Sequence, residues 1–282
     1  MHYDARHCKF YCMINILFLG EIVGRPGIQS LKAGLSDLKK EYNVDFTMIN
    51  CEGMTNGFGI GRQHSLQLGK MGIDLSTGGE KLFFKIDMVE QMGKSSYVLR
   101  PYNLPPACPG KGMKFVTIKD RKFLIANLIG NSGFSRVTGA NALMTADHLA
   151  QKAEENGAIL ILTFHASTTA ETSTLWHYMK TRAAAVIGTH TKVLTADEKV
   201  GEDGCAYITD TGRVGSFYSV GGFDPEIEIE KFKGAIPMRS RECWDGGVLQ
   251  GVVVSIDEIT GRAVKIERIN KSVKIKKPEE RA

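Results

Sequence analysis

Short apolar runs alternate with amphipathic stretches along most of this chain. The apolar runs predict buried strands, and between them apolar residues recur at helical spacing, as at Leu31, Leu35 and Leu38. A second helix is predicted over 64–71, and Asn141 is a suitable N-cap for a third that runs to about Asn156. The predicted strands are 14–19, 46–49, 73–77, 114–118, 122–127, 159–164, 184–187 and 206–209, with a closing β pair at 248–256 and 263–269.

The order of these elements predicts an α/β sandwich with mixed sheets, because strands alternate with helices early and β-rich stretches come later. The sequence contains no internal repeat, low-complexity segment or linker, so we expect one domain over residues 13–270. Residues 1–12 lack the apolar core of a signal peptide, and Met13 opens the first strand. We therefore interpret residues 1–12 as an appendage or an over-long gene prediction. Residues 271–282 are expected to form a basic tail.

Composition narrows the class of protein. Hydrophobic residues make up 43% and charged residues 24%, which is typical of a soluble globular domain, and no apolar run is long enough to span a membrane. The six cysteines are scattered without a C-x-x-C pair, which favours reduced thiols in the cytoplasm over a disulfide framework or structural zinc site. Much of the excess in the net charge of +5 lies in the basic tail. Charge alone therefore indicates no nucleic-acid partner.

A glutamate or histidine comes at or shortly after the end of each of five predicted strands. In open α/β sheets the carboxyl ends of the strands converge on one crevice, where ligands bind. Carboxylate and imidazole donors together suit a divalent metal. Any one of these residues could be a cap or a solvated side chain, but the set predicts a metal or anion site. Its members are Glu21, Glu52, Glu80, His165 and His190.

Six segments carry a resemblance to a known family. They resemble the bacterial calcineurin-like metallophosphoesterases of the YmdB-like, 2′,3′-cyclic-nucleotide phosphodiesterase branch, over about residues 14–269. The resemblance implies a calcineurin-like sandwich of mixed β-sheets flanked by helices, a two-metal centre and phosphodiester hydrolysis. It also supports Met13 as the natural start. The segments are INILFLGEIVG (14–24), INCEG (49–53), GGE (78–80), FHA (164–166), VIGTHTKV (186–193) and AYITD (206–210).

The chain departs from the family pattern at positions that carry the chemistry. The family's first motif ends in Gly-Asp, whereas this chain has Glu21, which keeps a carboxylate on a longer side chain. In the second motif Glu52 is kept, but Gly53 replaces an asparagine. The third motif, Gly-Asn-His, supplies a metal ligand and the presumed proton donor. Here Gly79 and Glu80 replace both side chains.

The last family motif carries two histidines, and here they become His190 and Lys192. A protonated lysine has only hydrogen-bond donors and cannot ligate a metal. Our hypothesis is that Lys192 replaces the first metal's charge and pairs with Glu21, with Glu52 as a further partner. Lys192 is equally a candidate for binding a phosphate anion as a point charge.

The resemblance leaves donors for a single metal. Glu52, His165 and His190 form a two-histidine, one-carboxylate set that suits Mn, Fe or Zn. Glu80 is a candidate to reach in for the side chain lost at position 79, and Glu21 stays a candidate carboxylate ligand. We therefore expect one divalent metal and not two.

Loss of one metal removes part of the charge stabilisation that two-metal phosphoesterases provide. Glu80 stands where the family has its proton-donating histidine, and it suits that role only if its pKa is raised. We expect weak or absent activity, and two hypotheses stay open. One is a mononuclear phosphodiesterase acting on cyclic nucleotides or similar phosphodiesters. The other is an inactive pseudo-enzyme that binds a phosphate-containing ligand or a protein partner. Relatives commonly self-associate, so a homo-oligomer is compatible with both.

The other polar candidates have simpler interpretations. His148 and His177 lie on predicted helices and are expected to be structural or surface residues. Arg182 and Arg213 could bind phosphate, but surface ion pairing is the expectation for both. Asp210 follows a strand and could support a loop near the crevice.

Overall fold

The computed structural model describes residues 13–94 and 97–277. The predicted extension over residues 1–12 and the last five residues of the predicted tail lie outside the described residues. The strands are β1 (Met13–Ile22), β2 (Phe46–Asn50), β3 (Leu75–Thr77), β4 (Val98–Leu99), β5 (Met113–Ile118), β6 (Arg121–Ile129), β7 (Ile159–His165), β8 (Ala185–Thr189), β9 (Lys199–Val200), β10 (Ala206–Ile208), β11 (Arg213–Ser216), β12 (Gly247–Asp257) and β13 (Ala263–Val273). The helices are α1 (Gly24–Glu41), α2 (Arg62–Lys70), α3 (Ile86–Met92), α4 (Ala142–Glu155), α5 (Thr169–Met179) and α6 (Pro225–Gly234), with a 3₁₀ turn at Leu82–Phe84.

The strands form two mixed sheets. The first has seven strands in the order β13-β12-β11-β1-β2-β3-β4, and the second has six in the order β5-β6-β7-β8-β10-β9. Strand β1 pairs in parallel with β2 and β11 and antiparallel with β12. Strands β6, β7, β8 and β10 are mutually parallel, so their carboxyl ends lie at one edge of the second sheet.

Alternating side chains of each strand serve two different cores. Ile16 and Phe18 of β1 face Phe123 and Ile125 of β6 across the space between the sheets. Leu17 of β1 lies in the core on the opposite face, with the apolar stripe of α1. On the outer face of the second sheet, α4 and α5 cover alternate residues of β6 and β7. The layers therefore run helix, sheet, sheet, helix, which confirms the predicted α/β sandwich of mixed sheets flanked by helices.

Most predicted elements are present within one or two residues of their expected bounds. Leu31, Leu35 and Leu38 are buried on one face of α1, as their spacing predicts. The Asn141 side chain accepts hydrogen bonds from the backbone N–H groups of Leu143 and Met144, so the predicted N-cap of α4 is confirmed. The predicted closing β pair is the antiparallel ladder of β12 and β13.

The differences concern short or late elements. Strands β4, β9 and β11, of two to four residues, were not predicted, whereas the equally short β3 and β10 lie within the predicted strands 73–77 and 206–209. Helices α3 and α6 were not predicted either. Strand β13 continues to Val273, so the first three residues of the expected basic tail belong to the sheet. None of the helices in the described part of the chain has both the length and the apolar character needed to cross a bilayer.

Candidate active site

The strand ends deliver the predicted donors to one edge of the sandwich. Glu21 lies near the end of β1, Glu52 follows β2 and Glu80 follows β3 in the first sheet. His165 is the last residue of β7, and His190 directly follows β8 in the second sheet. The crevice between the two sheets thus receives carboxylates from one side and imidazoles from the other.

His165 is the centre of this cluster. Its Nε2 atom lies 2.5 Å from Glu80 Oε2, 3.1 Å from Glu52 Oε2 and 3.0 Å from His190 Nδ1. On the other side of the ring, its Nδ1 atom lies 3.2 Å from Thr189 Oγ1, and this contact helps to orient the ring. Burial alone lowers the pKa of His165, but the carboxylates of Glu52 and Glu80 outweigh burial and raise it overall. The ring therefore lies in contact with both acids.

The two acids differ in their protonation. Burial raises the pKa of Glu52 to about 8, and the nearby carboxylates of Glu80 and Glu21 add to this effect. Burial also acts to raise the pKa of Glu80, but the hydrogen bond with His165 and the charge of Lys81 outweigh it, so the pKa is lowered. Glu80 therefore lacks the raised pKa that a proton-donating role requires, and the carboxyl group with a raised pKa is that of Glu52.

Lys81 is a member of the site that the sequence did not reveal. Its Nζ atom lies 2.7 Å from Glu80 Oε1, and its backbone N–H donates a short hydrogen bond to Glu52 Oε1. Burial alone lowers the pKa of Lys81, but the carboxylates of Glu21, Glu80 and Glu52 raise it overall. In the sequence, only its position next to Glu80 could have indicated that Lys81 belongs to the site. A single lysine in a turn is too common to support such a prediction.

Lys192 and Glu21 form an ion pair, with Nζ 3.2 Å from Oε1. Glu21 is 1% exposed, and neither of its carboxylate oxygens accepts a hydrogen bond from any residue that the structure describes. The ammonium group of Lys192 is therefore the nearest compensation for a buried charge. No ion pair joins Lys192 to Glu52 within residues 13–94 and 97–277. That Lys192 stands in for a metal charge stays a prediction.

The loop that carries His190 and Lys192 has an uncommon backbone. Their φ angles are 123° and 63°, a region that L-residues with side chains rarely adopt. Buried Asp210 accepts a hydrogen bond from the Thr191 N–H at 2.6 Å, and Arg213 donates to the Lys192 carbonyl oxygen at 2.8 Å. Asp210 thus supports the loop, as the sequence indicated.

The two candidate arginines differ in their surroundings. Arg213 bonds three backbone carbonyl groups in place of the surface ion pair expected for it, so that expectation is wrong. It is partly buried beside the loop, where carbonyl oxygens are its available acceptors. Arg182 does form the expected ion pair, at 2.6 Å from Asp147.

The glycines that replace family asparagines leave no empty space. A Cβ atom on Gly79 would overlap the His165 ring and Glu52 Oε2. A Cβ atom on Gly53 would overlap Glu21 Oε1. Neighbouring carboxylates and the imidazole occupy the volumes that larger side chains at positions 53 and 79 would need.

The donors fit one divalent metal better than two. Glu80, His165 and His190 each offer a ligand atom, and these atoms all lie within 4.8 Å of one another. An unbonded oxygen of Glu52 lies beside them. Ligands about 2.1 Å from a metal are roughly 3–3.5 Å apart, so the His165–Glu80 contact has to open before an ion enters. Glu21, predicted as a ligand, lies against Lys192 instead.

The side chain of Phe134 covers the two histidines of the site. Phe134 stacks on His165 with ring centroids 5.6 Å apart and meets His190 edge-on at 5.0 Å. A cavity of about 340 Å³ adjoins them, lined by Glu80, Lys81 and His190 together with exposed aromatic and basic side chains. Phe134 was not predicted, because it comes from a loop without any periodic pattern.

Comparisons with known proteins agree with this geometry. A sequence profile described as YmdB-like protein matches residues 17–269. The 2′,3′-cyclic-nucleotide 2′-phosphodiesterase of Bacillus subtilis strain 168 is 35% identical over 256 residues, covering 91% of this chain and 96% of that protein. The crystal structure of a novel phosphatase from Mycoplasma pneumoniae superposes with a TM-score of 0.86 at 29% identity, covering 93% and 94% of the two chains. A hypothetical protein from Thermus thermophilus gives a TM-score of 0.85 at 27% identity, covering 93% and 100%.

Proposed function

The chain belongs to the YmdB-like family of calcineurin-like metallophosphoesterases, and we propose that it is a weak phosphodiesterase that holds a single divalent metal. Its substrates are cyclic nucleotides or similar phosphodiesters. The substrate class rests on the name of the Bacillus relative, a 2′,3′-cyclic-nucleotide 2′-phosphodiesterase.

One observation carries the single-metal proposal. Glu80, His165 and His190 converge with Glu52 beside them, whereas Glu21 faces an ammonium group. These nitrogen and oxygen donors suit Mn, Fe or Zn. When bound, the metal supplies Lewis-acid polarisation of a phosphoryl oxygen. The place of a second metal is occupied by Lys192.

The remaining residues bind and shield the substrate. Lys81 and Lys192 offer positive charge to phosphate oxygens on either side of the carboxylates. Phe134 covers the histidines and limits the access of water. A histidine that protonates the leaving oxygen is replaced by Glu80, whose lowered pKa makes it a poor acid. Slow turnover follows from this combination.

A second candidate function has its own support. Three carboxyl groups contact three basic side chains, and the carboxylates of Glu21 and Glu80 are paired there without an ion. This favours a catalytically inactive pseudo-enzyme that binds a phosphate-containing ligand or a protein partner. The six residues are Glu21, Glu52, Glu80, Lys81, Lys192 and His165.

Metal content and turnover on the same samples separate the two candidates. Purified protein is incubated with Mn²⁺, desalted and measured by inductively coupled plasma mass spectrometry, then assayed with bis(p-nitrophenyl) phosphate and 2′,3′-cyclic AMP. We expect at most one metal per chain and slow hydrolysis of both substrates. His190→Ala should lose both properties. His148→Ala is the matched control, since His148 lies on α4 and stacks on Tyr102 with centroids 6.3 Å apart.

Each other outcome also decides the matter. Two metals per chain would contradict the single-metal proposal, and rates equal to those of the Bacillus relative would contradict an impaired site. A folded protein without metal or turnover would support the pseudo-enzyme.

The four cysteines that the structure describes are free, and a cytoplasmic location was predicted from the cysteine pattern of the sequence. That location, like the homo-oligomeric state, stays a prediction.

A further inference from the structure

A large groove lies next to the active-site cavity, and five of its eleven lining residues are lysines or arginines. Its volume is about 720 Å³. We call it the basic groove and define it by Arg25, Phe58, Lys85, Phe223, Arg239 and Arg241.

Several of these cations have no acidic partner. Arg25 is neutralised by Glu242, at 2.9 Å. Among the residues that the structure describes, Lys85, Arg239 and Arg241 lie within ion-pair distance of no carboxylate. Arg136, at the neighbouring cavity, is likewise without a carboxylate in the described chain. Unpaired guanidinium and ammonium groups lining one concave surface produce a field that attracts polyanions.

The basic groove and the active-site cavity share one lining residue, Phe58. Phe58 and Phe223 stack with centroids 5.8 Å apart and an interplanar angle of 24°. Phe58 lines both the basic groove and the cavity that contains Glu80 and His190. Lys192 Nζ lies 5.7 Å from the centre of the Phe223 ring. A ligand that extends from the groove past Phe58 therefore enters the cavity lined by Glu80 and His190.

The groove also offers a surface on which a planar ring can stack. Phe58 is 42% exposed and Phe84, at the neighbouring cavity, is 44% exposed. Unpaired cations that follow a backbone, interleaved with exposed aromatic faces, are the features that bind single-stranded nucleic acids. An acidic peptide would use the cations but has no need of the aromatic faces.

We propose that the basic groove binds a single-stranded oligoribonucleotide whose terminal phosphodiester lies at the Glu80–His165–His190 cluster. The preference for RNA rests on the proposed function, because a 2′,3′-cyclic phosphate requires a ribose 2′-hydroxyl. The upstream phosphates contact Lys85, Arg239 and Arg241, and a base stacks on Phe58. Net charge could not reveal this site, since its cations come from distant segments of the chain.

Binding is tested without turnover, by fluorescence anisotropy of a labelled ten-nucleotide single-stranded RNA at 50 and 200 mM salt. The variant Arg239→Glu/Arg241→Glu should bind at least about tenfold more weakly. Because each phosphate contact to a single strand contributes about −0.7 to the slope of log K against log salt, the variant's slope should be shallower by about 1.4. The matched control is Lys40→Glu/Lys152→Glu, which changes the net charge equally. These lysines lie near the ends of α1 and α4, where the chain leads back to the amino ends of β2 and β7, away from the crevice. We expect the control to bind within about twofold of wild type.

Two further comparisons identify the ligand class. Phe58→Ala should weaken binding about tenfold, whereas Phe58→Tyr should retain it, because tyrosine keeps the stacking face. A duplex of the same RNA should bind more weakly, since its bases are hidden. Equal binding of the duplex or of a polyglutamate peptide would overturn the proposal, and so would equal weakening in the lysine control. None of these outcomes depends on metal content or on hydrolysis of the aryl substrate, so failure here and failure of the proposed function are distinguishable.

Discussion

The carboxylate of Glu21 occupies the space that a side chain at position 53 would need. A Cβ atom built on Gly53 overlaps Glu21 Oε1 and lies 2.9 Å from the Ile22 carbonyl oxygen. The glutamate at position 21 and the glycine at position 53 are therefore sterically coupled. The ammonium group of Lys192 pairs with the same Glu21 oxygen.

The first prediction tests this coupling. Gly53→Ala should lower the free energy of unfolding by about 1–3 kcal/mol, because it forces a carboxylate out of a packed position. In a Glu21→Asp background the same substitution should cost at least about 0.5 kcal/mol less. Urea denaturation of the four proteins in the cycle measures the difference. Equal costs in both backgrounds would show that Gly53 and Glu21 are independent.

The second prediction concerns the buried ion pair. Lys192→Met removes the nearest cation from the buried negative charge of Glu21 and should lower the free energy of unfolding by about 3 kcal/mol. Adding Glu21→Gln removes that charge and should recover part of the loss. Lys233→Met is the control, since its pair with Glu230 is exposed and should be worth under about 0.5 kcal/mol. A double variant as unstable as Lys192→Met alone would argue against the pairing as the cause.

The third prediction compares two glycines. Gly79→Ala places a methyl group against the His165 ring and Glu52, and should destabilise the metal-free protein by about 1–3 kcal/mol. Gly69 lies within α2, and a Cβ atom there meets no other atom within 4 Å. Gly69→Ala should therefore be neutral or stabilising by up to about 1 kcal/mol. Thermal unfolding in the presence of a chelator distinguishes the two. An undisturbed Gly79→Ala protein would mean that the cluster adapts freely.

The fourth prediction concerns pH and Asp210. Burial raises the pKa of Asp210 to about 7, so the folded protein keeps a proton that the unfolded chain releases near 3.8. The free energy of unfolding should therefore fall as pH rises from about 4 to about 7, by at most about 1.4 kcal/mol per pH unit from this group. The loss is complete about one pH unit above the folded-state pKa.

Denaturation at pH 5, 6, 7 and 8 for wild type and Asp210→Asn isolates this contribution. The variant loses one accepted hydrogen bond at every pH, which shifts its curve by a constant. The advantage of wild type over the variant should shrink between pH 5 and 7 and then level off. Parallel curves would mean that Asp210 titrates normally.

The strands of the fold were predictable because buried parallel strands are short, apolar and bounded by turn residues. Met13–Ile22 and Ile159–His165 show this most clearly, since both faces of these strands are packed. Strands of two residues, such as Lys199–Val200, are too short to show a pattern of their own.

The residues of the candidate site also fall into a group that the sequence predicts and a group that it does not. Glu52, His165 and His190 could be placed in the crevice because each follows or ends a recognisable strand. Their contacts could not be predicted, because Glu80 reaches His165 only through the space that Gly79 leaves open. Lys81 and Phe134 come from irregular loops, so their positions depend on long-range packing that no local pattern encodes.

The left-handed backbone at His190 and Lys192 has a consequence for how fast and how tightly ligands bind. Asp210 and Arg213 fix this loop before any ligand arrives, so association does not have to spend conformational entropy on ordering it. A ligand can bind to a loop that is already ordered without a conformational change in that loop. We therefore expect association at this loop to be limited by diffusion and not by loop ordering.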